Sequence, residues 1–178
     1  MPAPALPPLR FGFWAPVSGT HASWLHPGEP YDASWERHRR LVVQAEELGY
    51  ETVLLAQFLA NTWDDGRDQL DAWTAAAALA AVTSRIGIIA AIKPYFVNPV
   101  VLAKMALGIE DISGGRMALN IVNGWNRDEA ERTGLAFLDH DERYFYGAEW
   151  LTIVSLARFA EEVVPRVRAR LDEPAVVA

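Results

Sequence analysis

Four short apolar runs, each trailed by a helical pattern, constrain this chain more than any other feature. They occupy residues 10–15, 51–56, 86–92 and 116–122. The last three are nearly continuous in apolar character rather than alternating, as strands covered on both faces of a parallel sheet would be. The helices between them carry their own punctuation. Ser34 precedes a stretch with Trp35, Leu41, Val42, Ala45 and Leu48 on one broad face, and Gly49 ends it. Residues 70–83 are Ala-rich, giving a strong helix former with a thin side-chain layer that lies close to a sheet. Asn98 followed by Pro99 reads as a cap and first helical position, opening a helix to about Asp111. A fourth helical stretch runs from about Asp141 to Val154, after a loop containing Gly134.

The order βαβαβαβα predicts an α/β fold with a parallel sheet flanked by helices. Run starts at 10, 51, 86 and 116 lie 41, 35 and 30 residues apart. A (β/α)8 barrel uses about 31 residues per unit, so the spacing predicts a partial TIM-like barrel of about four βα units. An open dinucleotide-binding sheet would need Gly-x-Gly-x-x-Gly after its first strand. Here that turn reads Ala15-Pro16-Val17-Ser18-Gly19-Thr20-His21, which rejects the fingerprint.

Composition narrows the function. With 178 residues the chain buries a core without staples, and 51% apolar residues against a net charge of −7 exclude a disordered chain. Zero cysteines remove disulfides, thiolate metal sites and a cysteine nucleophile. The acidic balance and scattered arginines argue against a nucleic-acid surface. The longest apolar run, residues 75–82, is far short of the roughly 20 a membrane helix needs. The first eight residues lack a signal peptide's basic and apolar regions, so the expectation is a soluble, cytoplasmic chain. The four histidines match no metal-binding spacing, and no Gly-x-Ser-x-Gly elbow is present.

Sites in parallel α/β folds form at the C-terminal ends of the strands. Those ends carry Ala56-Gln57-Phe58, Lys93-Pro94-Tyr95-Phe96 and Val122-Asn123-Gly124-Trp125-Asn126-Arg127. Amides, a lysine and rings suit a cleft for a flat heteroaromatic ligand, and they equally suit ordinary turns over a core. Asn120, an amide inside an apolar strand, needs partners for both donor and acceptor; a flavin or nucleobase edge supplies them, and so does neighbouring backbone. Ser113-Gly114-Gly115-Arg116 looks like a phosphate loop but sits at the N-terminal end of its strand, where glycines serve a helix stop and turn. Asp139 or Asp141 suits a helix cap. Arg143 and Tyr144 form a guanidinium-plus-phenol pair suited to an anion.

Several stretches then carry a resemblance: Gln69-Leu70-Asp71-Ala72-Trp73-Thr74, Ala91-Ile92-Lys93-Pro94, residues 98–105, residues 112–116, residues 120–127 and His140-Asp141-Glu142-Arg143-Tyr144. In order and at this spacing they resemble the N-terminal half of the bacterial luciferase-like flavin monooxygenases, and within them the branch of the dimethyl-sulfone and alkanesulfonate monooxygenases. The resemblance implies a TIM-like barrel binding reduced FMN (FMNH2) delivered by an NAD(P)H:flavin reductase. O2 and a small organosulfur substrate, a sulfone or alkanesulfonate, would react through a peroxyflavin with cleavage of a C–S bond. Ala56 and Gln57 would border the flavin ring and Asn120 would hydrogen-bond it. Asn123 belongs to the same strand-end motif, Glu129 matches a flavin-contact position, and Arg143 and Tyr144 fall in the flavin-binding segment that follows. No catalytic residue carries over.

Residues 1–154 correspond to the N-terminal half of the barrel. Residues 155–178 resemble the family's C-terminal helix and tail, joined across an internal deletion. Four parallel strands do not close a barrel, so two open edges and a homo-oligomer are expected. The alternative reading is a flavin-binding module or inactive remnant without its own turnover, and a deazaflavin-dependent dehydrogenase on the same scaffold is a close enzymatic variant.

Overall fold

The structure, a computed structural model, describes residues 9–19, 31–62 and 66–153. The expected C-terminal helix at 155–178 lies outside these residues. The elements run β1 (Gly12–Ala15), α1 (Trp35–Glu47), β2 (Thr52–Leu55), α2 (Ala72–Val82), β3 (Gly87–Ile92), a 3-10 turn (Pro94–Phe96), α3 (Pro99–Ser113), β4 (Met117–Ile121), α4 (Arg127–Arg132) and α5 (His140–Ile153). All four apolar runs are strands, and they form one parallel sheet in the order β1-β2-β3-β4. Three successive crossovers step in one direction, and α1, α2 and α3 pack their buried residues into one core with the sheet. Among the described residues β1 and β4 are the edges, the arrangement of half a (β/α)8 barrel.

Local chemistry places the helices. The Ser34 hydroxyl accepts from Arg37 N–H at 3.3 Å, Asp71 from Thr74 N–H at 2.8 Å, and Asn98 from Val100 N–H at 2.9 Å. Asp139 accepts from Glu142 N–H at 2.9 Å while Glu142 accepts from Asp139 N–H at 3.4 Å, a reciprocal capping box opening α5. This helix begins at His140, one residue before the expected Asp141, and α4 is an addition to the expected order, its six residues carrying no apolar period.

The core lies between sheet and helices. Val53, Leu55, Ile88, Ala90 and Ile92 are buried on the same side, with Val42 and Ala45 of α1, Trp73, Ala76, Leu79 and Ala80 of α2, and Leu102, Ala106 and Ile109 of α3. The alanines of α2 let its backbone approach the sheet, and Trp73 Nε1 donates to Ala91 O at 2.9 Å. The alternate residues Trp14, Leu54, Ile89, Ala118 and Asn120 share the opposite face and are half-buried to exposed, Trp14 at 72%. A groove of about 510 Å3 follows the open β1 edge, lined by Phe13, Trp14, Leu41, Leu48 and Tyr50.

The N-terminal end of the sheet is closed by polar clamps. Gly114 and Gly115 take positive φ (65° and 92°), ending α3 and turning the chain into β4. Arg116 then donates to the carbonyls of Ala80, Thr83, Ile86 and Ser113 and to the Thr83 hydroxyl, at 2.7–2.9 Å. Nearby, one oxygen of Glu46 accepts from Ser84, Arg85 and Ile86 N–H at 2.6–2.9 Å. Burial pushes this carboxyl up, and the three backbone donors outweigh burial, holding it below the usual value. The Gly114-Gly115 stretch is therefore a structural turn, as its position predicts. No helix among the described residues is long and apolar enough to cross a membrane.

Candidate functional site

At the C-terminal ends of the strands, polar groups converge that no single strand could assemble. Lys93 leaves β3 with its side chain 6% exposed and pairs with Glu129 of α4, whose carboxylate is 0% exposed. Glu129 also accepts from Leu59 N–H at 2.7 Å, and Gln57 accepts from Lys93 N–H at 2.8 Å. The rings of Phe58 and Phe96 stand 5.3 and 5.0 Å from the ammonium, a cation–π cage that keeps water off the pair. Asn126 caps α4, accepting from Glu129 N–H at 3.2 Å, and donates to the Thr62 hydroxyl at 2.8 Å. The loops after β2, β3 and β4 are thus cross-linked into one rim. Burial draws Lys93 below the ordinary lysine value, while the hydrogen bond and charge of Glu129 oppose it.

Tyr95 follows in the 3-10 turn. Its hydroxyl is buried without a hydrogen-bond partner. Burial, then the Glu129 charge, push this phenol up to about 12, with Arg143 pulling the other way. Gly124, at φ 71°, lies so close that a Cβ there would stand 2.1 Å from the Tyr95 oxygen. A side chain at 124 would therefore displace the phenol.

The residues singled out from sequence lie after β2, on and just after β4, in α4 and in α5. Ala56 and Gln57 lie directly after β2, with Ala56 half-buried and Gln57 buried and holding Lys93 N–H. Asn120, half-buried, pairs in register with Ala91, and Asn123 sits just past the strand end with its amide against Gly147 of α5. Glu129 is fully buried against Lys93 and Leu59 N–H. Arg143 is half-buried, donating to Leu138 O at 2.6 Å and lying over the Phe137 ring at 4.1 Å. Tyr144 is 53% exposed and stacks on His140 at 4.6 Å. Adjacent residues on a helix point about 100° apart, so Arg143 and Tyr144 do not form one pair. The phenol that meets the Arg143 neighbourhood is Tyr95. Sequence reading noted Lys93 and Tyr95 as rim residues, but nothing local signals that Lys93 pairs with a residue 36 positions away.

Comparison with known proteins gives this rim a context. Residues 9–172 match the family model described as luciferase-like monooxygenase. The chain is 33% identical over 147 residues to an FMNH2-dependent dimethylsulfone monooxygenase of Pseudomonas putida, covering 81% of this chain and 39% of that protein. The fold matches EDTA monooxygenase from Chelativorans sp. BNC1 with a TM-score of 0.70 at 25% identity, covering 82% of this chain and 35% of that one. It also matches riboflavin lyase, solved with modified FMN and riboflavin, with a TM-score of 0.68 at 25% identity, covering 82% and 37%. The chain therefore spans under two fifths of the length of each relative. With the family model matched from the first described strand to beyond the last described helix, this chain belongs to the luciferase-like monooxygenase family.

Proposed function

We propose that the chain works as an FMNH2-dependent monooxygenase that oxygenates a small organosulfur compound, a sulfone or an alkanesulfonate, and cleaves its C–S bond. The observation that carries this reading is the 33% identity to the dimethylsulfone enzyme across 81% of the chain. The rim is chemically suited to FMN. Asn120 would present its amide to a heteroaromatic edge, with Asn123 just past the strand end, and Ala56 would leave space beside a ring. Tyr95 and Arg143 each hold a buried donor that still lacks an acceptor.

When bound, reduced FMN supplies the two electrons that activate O2. With dimethyl sulfone, one O2 and one FMNH2 would yield methanesulfinate, formaldehyde, water and FMN. The chain's own part is binding, orientation and water exclusion. Asn120 and Asn123 would hold the ring edge, and Gln57 with the Lys93–Glu129 pair would fix the loops that carry them. A flavin reductase would be the partner that delivers FMNH2.

A second reading is a flavin-binding module without turnover of its own, favoured by the four parallel strands of the described residues, too few to close a barrel. Incubation with reductase, NADH, catalytic FMN, O2 and dimethyl sulfone separates the two. Sulfinate and formaldehyde in equal amounts support the first reading. FMN binding without product supports the second, and absence of both eliminates the two together.

A further inference from the structure

We propose that this chain completes its barrel with a second copy of itself, β4 of each copy pairing in parallel with β1 of the other about a two-fold axis along the barrel. Among the described residues each of these two strands is paired on one side alone. Open edges are normally blunted by a charge, a proline or a bulge. β1 reads Gly-Phe-Trp-Ala and β4 Met-Ala-Leu-Asn-Ile, with neither charge nor proline. The sheet face turned away from the helices is uncovered as well, with Trp14, Leu54, Ile89 and Ala118 upon it. A closed barrel of this class fills its interior with layers of four side chains, each layer drawn from alternate strands. Four strands supply half of every layer, and a second copy supplies the other half.

The register of the seam follows from that of the sheet. Gly12 pairs with Thr52, Thr52 with Gly87, and Ile88 with Met117, so the row through Gly12 reaches β4 beside position 116. Followed round a closed barrel of eight strands, such a row returns to its first strand shifted by about eight residues. Each of two identical seams therefore carries a shift of about four. Shifted toward the C-terminal end of β4, Gly12 of the second copy lies beside Asn120; the opposite shift would set it beside Ile112, in α3. Only the first keeps strand against strand.

In that register Phe11 and Phe13 of the second copy lie beside Leu119 and Ile121 on the helix side of the sheet. Phe11 is 62% exposed and Leu119 39% in the single chain, so the seam covers an apolar pair that each copy leaves in water. Phe11 already extends the ladder of β1, its carbonyl accepting from Glu51 N–H at 2.8 Å. Parallel seams put the C-terminal ends of all eight strands on one side, with Asn120 of one copy next to the first strand of the other. This inference goes beyond the flavin reading, and its test uses no flavin.

The chain has no cysteine, so single ones report on the seam. Phe11→Cys and Leu119→Cys chains are co-expressed and treated with a short bis-maleimide, and the cross-linked peptides are identified by mass spectrometry. Sedimentation of wild type and Leu119→Lys gives the assembly, with circular dichroism verifying each fold. The expected results are wild type at twice the 19.7 kDa of one chain, Leu119→Lys at the single mass, and a mixed 11–119 cross-link at least tenfold more abundant than 11–11 or 119–119. A monomeric wild type, a Leu119→Lys protein that sediments as wild type does, or a majority of 11–11 or 119–119 products, the mark of like edges pairing, overturns the proposal. The cross-links read the seam independently of how well Leu119→Lys folds.

Discussion

Replacing Glu129 by glutamine should destabilise the fold sharply, and removing its partner as well should restore much of the loss. The carboxylate is fully buried and balances a lysine 6% exposed. Glutamine keeps an oxygen for Leu59 N–H, which now donates to Glu129 at 2.7 Å, so the variant removes charge and little else. Breaking a buried pair on one side costs about 3–5 kcal/mol, because it strands the other charge. With one hydrogen bond preserved, the expected cost is about 3 kcal/mol. For a chain of this size that lowers the melting temperature by about 6–12 °C.

Lys93→Met alone strands the carboxylate and should cost a similar amount. The double variant Lys93→Met/Glu129→Gln leaves no buried charge and keeps the acceptor for Leu59. It should lie within about 1 kcal/mol of wild type, since an apolar side chain under Phe58 and Phe96 is well accommodated. Urea denaturation of the four proteins closes a double-mutant cycle whose coupling should exceed about 2 kcal/mol. A Glu129→Gln variant within 0.5 kcal/mol of wild type, or additive losses in the double variant, would refute the claim that this pair anchors the rim.

Three further outcomes follow from the same geometry. Arg116→Met should cost about 2–4 kcal/mol in urea melts, because it strips the donor from four carbonyls at the N-terminal end of the sheet; FMN affinity, read at the opposite end, should not change. Glu46 has a folded value below its unfolded one, so its contribution is present above the usual carboxyl value near 4.5 and is lost as pH falls through the folded value. Melts at pH 3–6 should therefore show a flatter acid limb for Glu46→Gln than for wild type. In an ultraviolet titration the Tyr95 phenol should ionise late, near pH 12, as a step missing from Tyr95→Phe. Because the unfolded phenol ionises first, this group's contribution to stability falls as pH rises from about 10.

The sheet and its helices were legible because their signals are local. Continuous apolar runs marked β2, β3 and β4, Asn98-Pro99 marked the start of α3, and the spacing of the runs indicated barrel units. The turn at Gly114-Gly115 followed from its position between helix and strand. α4 was not legible, because six residues between Asn126 and Thr133 show only a cap and acids in the first turn. The rim's chemistry was only partly readable. Lys93 and Glu129 meet because parallel strands bring their C-terminal ends to one side, and no spacing along the chain encodes that meeting. Resemblance named Glu129 as a flavin-contact position; its buried partners are Lys93 and Leu59. The Arg143–Tyr144 pairing followed sequence adjacency, whereas helical geometry parts those side chains and brings Tyr95 to the same junction from the loop after β3.

The half-site for reduced flavin proposed on this rim is open to anaerobic fluorescence titration with FMN and FMNH2, on wild type and Asn120→Ala. Saturable binding of at least one form at micromolar concentration is expected, about tenfold weaker when the Asn120 amide is removed. Titrations that never saturate with either form, or an Asn120→Ala protein that binds as wild type does, would contradict it.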